Sequence, residues 1–368
     1  MIGGGGFQAG MPGKRGKSRP AHSKNRKNAH KPAPGPKKVR AVRPRTPYRP
    51  ASLPKEVREK IAPRSAHAPP HRPSAVAFKG PRSGIAIVGN FSKWSWGQHP
   101  DEAYLADALE ILGMQVYRIQ ADSNAQSNMK AEWALFTGHS VRRHERWRAT
   151  HRTIVWTLDW LPTYPERRHI IAAGRRADIF VTSDRFDWER TYGIENHFYL
   201  PGACESIIVD LKPDPVRTCA FLGSLYSPRR EEIAKIVAER GGTVLSTPGQ
   251  WIYGAQLASF CQATKVVIGD NVLNDVPGYW SSRNYVIPGA GGFLLTPRVP
   301  GLETQFQFGK HIAVYDGLDS LRAELDRWIH DNAAREIVRR GGWNHARAYH
   351  HWGERARALI ERMTGVIA

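Results

Sequence analysis

The stretch SSRNYVIPGAGGFLLTPRVPGLETQF, from Ser281 to Phe306, brings together side chains suited to holding a phosphorylated ligand. A serine at a helix start satisfies one of the unpaired backbone amides there. Those amides, with an arginine fork beside them, form a natural site for phosphate oxygens. Ser282 and Arg283 are therefore expected on a diphosphate, with Ser281 or Ser282 as the cap. Gly289, Gly291 and Gly292 allow a backbone to turn or to approach a ligand closely. Glu303 follows the next apolar run, and a carboxylate in that place accepts hydrogen bonds from vicinal hydroxyls such as those of a ribose. Trp251, in TPGQWIYG after another predicted strand, is expected beside the nucleobase. The set describes a nucleotide-sugar site. Taken singly, an arginine or glutamate in a loop is a solvated surface group, and GAGG is a turn.

Transfer to a hydroxyl with inversion needs a base within reach of the acceptor. Asp159 in WTLDWLP, at the carboxyl end of a predicted strand, is the first candidate, and His99 in FSKWSWGQHP is the second. Asp159 fits a cap or turn before Pro162 equally well, His99 fits a surface loop, and a retaining enzyme needs no such base. Trp94, Trp96, Trp156, Trp160 and Trp280 fall near predicted strand ends, where a ring stacks on a sugar or base or simply joins the core. Arg142, Arg143, Arg146 and Arg148, with Arg152 and interleaved by Trp147, form either a strip for nucleic-acid phosphates or a solvated helix face.

The elements that must position these groups alternate. SGIAIVGN, MQVYRI, WALFTG, TIVWTLDW, ADIFVTSD and NHFYLPGA read as strands, separated by helical stretches, including one around Val141–His151. A second unit repeats the rhythm with TCAFLGS, TVLST, KVVIGD, GFLLT and HIAVYD. The expected class is α/β, two Rossmann-like domains facing a cleft, with boundaries at 1–80, 81–208, 209–342 and 343–368. Asp316 and Asp319 stand where they would cap the amphipathic helix carrying Leu318, Leu321, Leu325, Trp328 and Ile329. Trp343–Met363 reads as one closing helix whose apolar stripe must pack on an existing surface.

Charge is distributed unevenly. Residues 1–80 hold 20 Lys and Arg against Glu56 and Glu59, a surplus of 18, while the remainder carries 34 basic against 31 acidic residues. The basic, Pro- and Gly-rich tail is expected to be disordered unless bound to an anionic partner, or to serve as a solubilising extension. Cys204, Cys219 and Cys261 have no metal-ligand or CxxC spacing, so a disulfide framework and a zinc site are not expected. With no secretory h-region and no apolar run long enough for a bilayer, a soluble cytoplasmic chain is expected.

From KVVIGDN through SSRNYVIPGAGGFLLT, the Glu303 and Phe306 pair and GKHIAVY to HARAYHHWGERARALI, the sequence resembles the C-terminal half of GT-B glycosyltransferases. It is most similar to the spore-maturation and phage glycosyltransferase-like group. The resemblance covers roughly residues 200–365 in motif and 83–200 only in fold. It implies sugar transfer from a nucleotide donor such as UDP-glucose, with no tightly bound cofactor and no structural metal. The family's acidic residue three positions after the arginine is Val286 here, which leaves Glu303 for the ribose. Combined with the basic tail, the phage-like resemblance implies a DNA acceptor, a hydroxymethylated pyrimidine such as 5-hydroxymethylcytosine. The alternatives are a protein or glycan acceptor, or a non-catalytic nucleic-acid-binding protein on the same scaffold.

Overall fold

The computed structural model describes residues 84–91, 101–122, 130–138, 140–158, 167–205, 210–247, 250 and 252–367. The basic tail, His99, Trp94, Trp96, Asp159, Trp160 and Trp251 lie outside the described residues.

The first domain runs β1 (Gly84–Gly89), α1 (Asp101–Ile111), β2 (Val116–Gln120), β3 (Ala131–Thr137), α2 (His144–Trp147), β4 (Arg152–Thr157), α3 (Arg167–Gly174), β5 (Ile179–Thr182), α4 (Trp188–Tyr192) and β6 (His197–Tyr199). Its strands form a parallel sheet in the order β2-β1-β3-β4-β5-β6. GIAIVG is buried at every position, as expected for a central strand covered on both faces. The helix anticipated over Val141–His151 is shorter: a 3-10 turn at Val141–Arg143 leads into the single turn of α2. Its buried groups explain the brevity, because Trp147 is 1% exposed against Phe136 and His151 and so is anchored inward. The α4 turn carries no sequence periodicity of its own. Asp187 caps it, accepting from Arg190 N, and Gly193 ends it at φ 62°.

The second domain continues with β7 (Arg217–Leu222), α5 (Pro228–Glu239), β8 (Thr243–Leu245), α6 (Gly254–Gln262), β9 (Thr264–Ile268), α7 (Arg283–Gly289), β10 (Leu294–Pro297), β11 (Ala313–Tyr315) and α8 (Leu318–His330). Its sheet is also parallel, ordered β11-β10-β9-β7-β8. Ser227 caps α5 by accepting from Arg230 N, and Pro228 opens its first turn. Neither Asp316 nor Asp319 caps α8: the cap residue is Gly317, and the Asp316 carboxylate instead accepts from Arg298 Nε at 2.9 Å.

The closing stretch is two helices, α9 (Asn332–Tyr349) and α10 (Trp352–Ile367), and the break has a structural cause. At His350–His351 the chain pairs with the segment that joins the two sheets. Cys204 N donates to His350 O at 2.7 Å, and Trp352 N donates to Cys204 O at 3.2 Å. α9 packs on α7 of the second domain, with Gly341 and Gly342 so close to the Lys310 and His311 carbonyls that a Cβ would strike them. α10 returns to α1, and Trp352, Ala356, Leu359, Ile360 and Met363 share a core with Ile85, Ile87, Leu105 and Leu109. Arg355 fastens this crossover, its Nε donating to Pro201 O at 3.0 Å and its Nη2 to Gly202 O at 3.1 Å. Among the described residues no helix is long and apolar enough to cross a membrane.

Candidate active site

Two cavities, of about 320 and 270 Å³, share Asp101, Ser282 and Arg283 and so form adjoining lobes of one cleft. Its walls come from the strand carboxyl ends of both domains: Leu158 and Ser183 after β4 and β5, and Leu222, Gly223 and Leu245 at β7 and β8. Ligands of open parallel sheets collect at such ends, because the loops there are free to vary and helix amides point at them. A third hollow of about 350 Å³, lined by Trp328, Ile337 and Val338, shares no residue with these lobes.

Arg283 begins α7 and is half-buried where the lobes meet. Ser281 Oγ accepts from its backbone N at 3.3 Å and its Nη1 at 3.0 Å, while Ser282, at the cap position, makes no side-chain cap bond and is exposed to both lobes. The guanidinium lies against Gly223, where a Cβ would fall 2.8 Å from Nη2, and Gly223 sits at φ 151°. Glycine there is what leaves room for the arginine.

Arg230, in the first turn of α5, approaches from the other side. Its Nε is 2.8 Å from the fully buried carboxylate of Asp270, its Nη1 donates to Ser224 O at 3.1 Å, and the Tyr226 ring lies 4.1 Å from its guanidinium carbon. Arg229 shares the same carboxylate at 3.0 Å. One aspartate thus serves two guanidiniums, and Arg283 adds a third cation. Burial, followed by the Arg230 charge, pulls the Arg283 pKa down to about 10, which still leaves it charged at neutral pH. A bound anion would relieve that repulsion and replace the solvation the arginine has lost. Such a cluster can hold a compact multivalent anion such as a diphosphate.

The smaller lobe has a different character. Leu222, Leu245, Ile252, Leu257, Val286 and Ile287 give it apolar walls, and Tyr104, Tyr253 and Trp352 add aromatic ones. A planar base fits such a lining.

Residues 219–361 match the glycosyl transferase-like family. Three solved structures share the architecture. Sucrose-phosphate synthase from Thermosynechococcus elongatus aligns at 11% identity with a TM-score of 0.57, covering 78% of this chain and 99% of that one. Anabaena HepE, in complex with UDP-glucose, aligns at 9% with a TM-score of 0.54, covering 76% and 99%. A glycosyltransferase from Rickettsia africae aligns at 8% with a TM-score of 0.52, covering 78% and 99%. No curated protein sequence matches the chain. The chain has the GT-B fold.

In this GT-B fold the residues singled out from sequence part ways. Arg283 and Ser282 line the cleft. Glu303 lines neither lobe: it stands in a 3-10 turn after β10, and both its carboxylate oxygens accept from Gly301 N, at 3.0 and 3.2 Å. The structure thus does not gather Arg283 and Glu303 around one cavity. Gly291 and Gly292 also serve another purpose than ligand approach. A Cβ at Gly292 would lie 2.8 Å from Ile287 Cγ2 and one at Gly291 3.0 Å from Gln262 Cγ, so protein fills the space on their open side. They make the tight turn from α7 into β10 against α6. Trp156 is buried in the first core, whereas Trp280 is both buried and part of the larger lobe, its Nε1 donating to Tyr285 Oη at 2.6 Å. Arg142, Arg146 and Arg148 are exposed and Arg143 half-buried around α2, and Arg148 approaches Glu145 at 3.7 Å. Trp147 beneath them is core and offers no stacking surface. Asp159 and Trp251 fall outside the described residues, but their neighbours Leu158 and Ile252 line the cleft.

Sequence reasoning passed over Arg230, Asp270, Tyr104 and Glu205. The signal for the first two was present, since SPRRE opens a helix after β7 and Asp270 ends KVVIGD after β9, both at strand carboxyl ends. For Glu205 there was none, because it lies in an irregular joint between the sheets.

Proposed function

We propose that this protein is a glycosyltransferase that uses a nucleoside diphosphate-sugar as donor, with the diphosphate against Arg283 and Arg230 and the base in the apolar lobe. The observation that carries the reading is the convergence of Arg283 on Arg230 at the mouth of that lobe, with Gly223 left bare to admit it. The UDP-glucose bound by the structural relative HepE agrees in kind. The acceptor hydroxyl oxygen attacks the anomeric carbon as the bond from that carbon to the diphosphate oxygen breaks. The nucleoside diphosphate leaves with the electron pair, and the two guanidiniums take up the charge that develops on it. In an inverting course the acceptor proton passes to a base on the first domain, for which Asp159 is the first candidate and His99 the second.

For the acceptor we favour a hydroxymethylated pyrimidine in DNA. The support is the separation of charge, a surplus of 18 in residues 1–80 beside a nearly neutral remainder, which fits a polyanion-binding arm joined to a catalytic body. Incubation with UDP-glucose and either hydroxymethylated or plain duplex DNA, followed by digestion to nucleosides and mass measurement, tests it. A glycosylated nucleoside is the expected product. Donor hydrolysis or transfer to a glycan or protein, with no modified nucleoside from any common donor, would sink the DNA acceptor while keeping the donor site. Arg283→Ala is expected to weaken donor binding by about a hundredfold, and unchanged affinity would show the site to be misplaced.

A further inference from the structure

The stretch between β9 and α7 works in two directions. Its apolar side chains Leu273, Val276 and Tyr279 share a core with Phe180, Phe186 and Trp188 of the first domain. Gly278, at φ 76°, lets its backbone run against Arg185, whose Cβ would lie 2.8 Å from a Cβ added there. The stretch is thereby anchored, and its polar side chains meet the arginines of the cleft instead.

Asp270 and Asn271, each 1% exposed, open it. The Asp270 carboxylate pairs with Arg230 and Arg229, and its Oδ1 also accepts from Asn274 Nδ2 at 3.1 Å. Asn274 Oδ1 accepts from Asn271 Nδ2 at 3.0 Å, and Asn271 Oδ1 accepts from Ser281 N at 2.7 Å. Ser281 Oγ in turn accepts from Arg283 Nη1 at 3.0 Å. One connected polar network therefore joins Arg230 to Arg283. Its sense is fixed at both ends, because the carboxylate can only accept and the Ser281 N–H can only donate, so each amide has one orientation that serves both neighbours. The two amides are also neutral. A carboxylate in place of either would compete with a ligand's phosphates for the guanidiniums, whereas an amide sets position and leaves the cations uncompensated. We propose that Asn271 and Asn274 are positioning residues for the diphosphate, holding Arg283 at a set spacing from Arg230 so that both forks are ordered before the ligand arrives. This assignment rests on the donor reading above.

Calorimetric titration of the full chain with UDP, GDP, ADP and CDP identifies the tightest nucleoside diphosphate, whose affinity is then measured in the variants. Asn271→Ala should weaken it by roughly tenfold, the scale of the freedom that one preordered side chain regains. In an Arg283→Ala background the same substitution should change affinity by less than about twofold, since that guanidinium is no longer there to be placed. Asn274→Ala, at a half-buried position, should repeat the pattern at about threefold, and it carries the test should Asn271→Ala not fold. Equal losses with and without Arg283, as a merely structural role requires, would overturn the assignment and leave the donor site standing. So would unchanged affinity in both single variants. If the wild type bound none of the four ligands, the donor reading would fall and this one with it.

Discussion

Arginines do opposite work in the cleft and at the crossover between domains. At the crossover Arg355 donates to the carbonyls of Pro201, Gly202 and Tyr349 and lies 3.1 Å from His350 Nδ1. Arg339, 1% exposed, does the same within the second domain, tying α9 to the carbonyls of Cys261, Thr264, Lys265 and Gly291. Each fork has an acceptor at every nitrogen, mostly backbone carbonyls, with Glu336 on Arg339 Nε at 3.1 Å, and these bonds offset its desolvation. Arg283 differs, with one serine hydroxyl and a neighbouring cation for company. A guanidinium whose donors are all used holds chain segments together; one with donors left over can still take a ligand's oxygens.

Substitutions should separate the two kinds. Arg339→Ala should cost about 3–5 kcal/mol of unfolding free energy, since it removes a fully buried fork bonded to four carbonyls. Urea denaturation measures this, and a loss below about 1 kcal/mol would break the contrast. Asp184 is the anionic counterpart: Oδ1 accepts from Phe186 N and Trp188 Nε1, both at 2.9 Å, while the buried Oδ2 has no partner. Burial raises its pKa to about 7, so the folded state favours the neutral acid. The stability this group contributes is present below about pH 4 and is lost as pH rises through 7. Asp184→Asn cannot titrate, so its stability relative to the wild type should climb by about 2–4 kcal/mol between pH 4 and pH 8. A difference independent of pH would show that the carboxylate is ionised throughout.

Arg283→Ala should weaken nucleoside diphosphate binding by about a hundredfold, near 2.7 kcal/mol, while leaving unfolding within about 1 kcal/mol of the wild type. Destabilisation comparable to that of Arg339→Ala would place Arg283 among the structural arginines. Smallest of all, Asp316→Ala should change stability by less than about 0.5 kcal/mol, because its pair with Arg298 is exposed.

The strands and most helices were legible because a β-α-β chain writes its burial into local pattern: GIAIVG and KVVIGD can only be buried strands, and α5 and α8 carry their apolar stripes openly. The α4 turn and the short α2 were not, since the contacts of Trp188 and Trp147 set them. The break between α9 and α10 was hidden for the same reason. His350 and His351 continue a helical spacing, and only pairing with Cys204, 146 residues or more away in sequence, interrupts it. In the site, Arg283 stood out because it opens a helix after a strand, whereas Glu303, equally promising in sequence, lines neither lobe, and Gly291 and Gly292 are packed by Gln262 and Ile287.

Taken alone, the sequence determined two alternating α/β units, the strand ends that must carry the ligand, and an arginine at one of them. Those follow from periodicity and from the amides that every helix start leaves unpaired. Which carboxylate shares the cleft with that arginine, and which arginines are spent on carbonyls, was decided by the tertiary structure. Hydrogen-bond capacity is consumed by whatever comes close in space, and that proximity is set by how α10 and the joint between the sheets bring distant segments together.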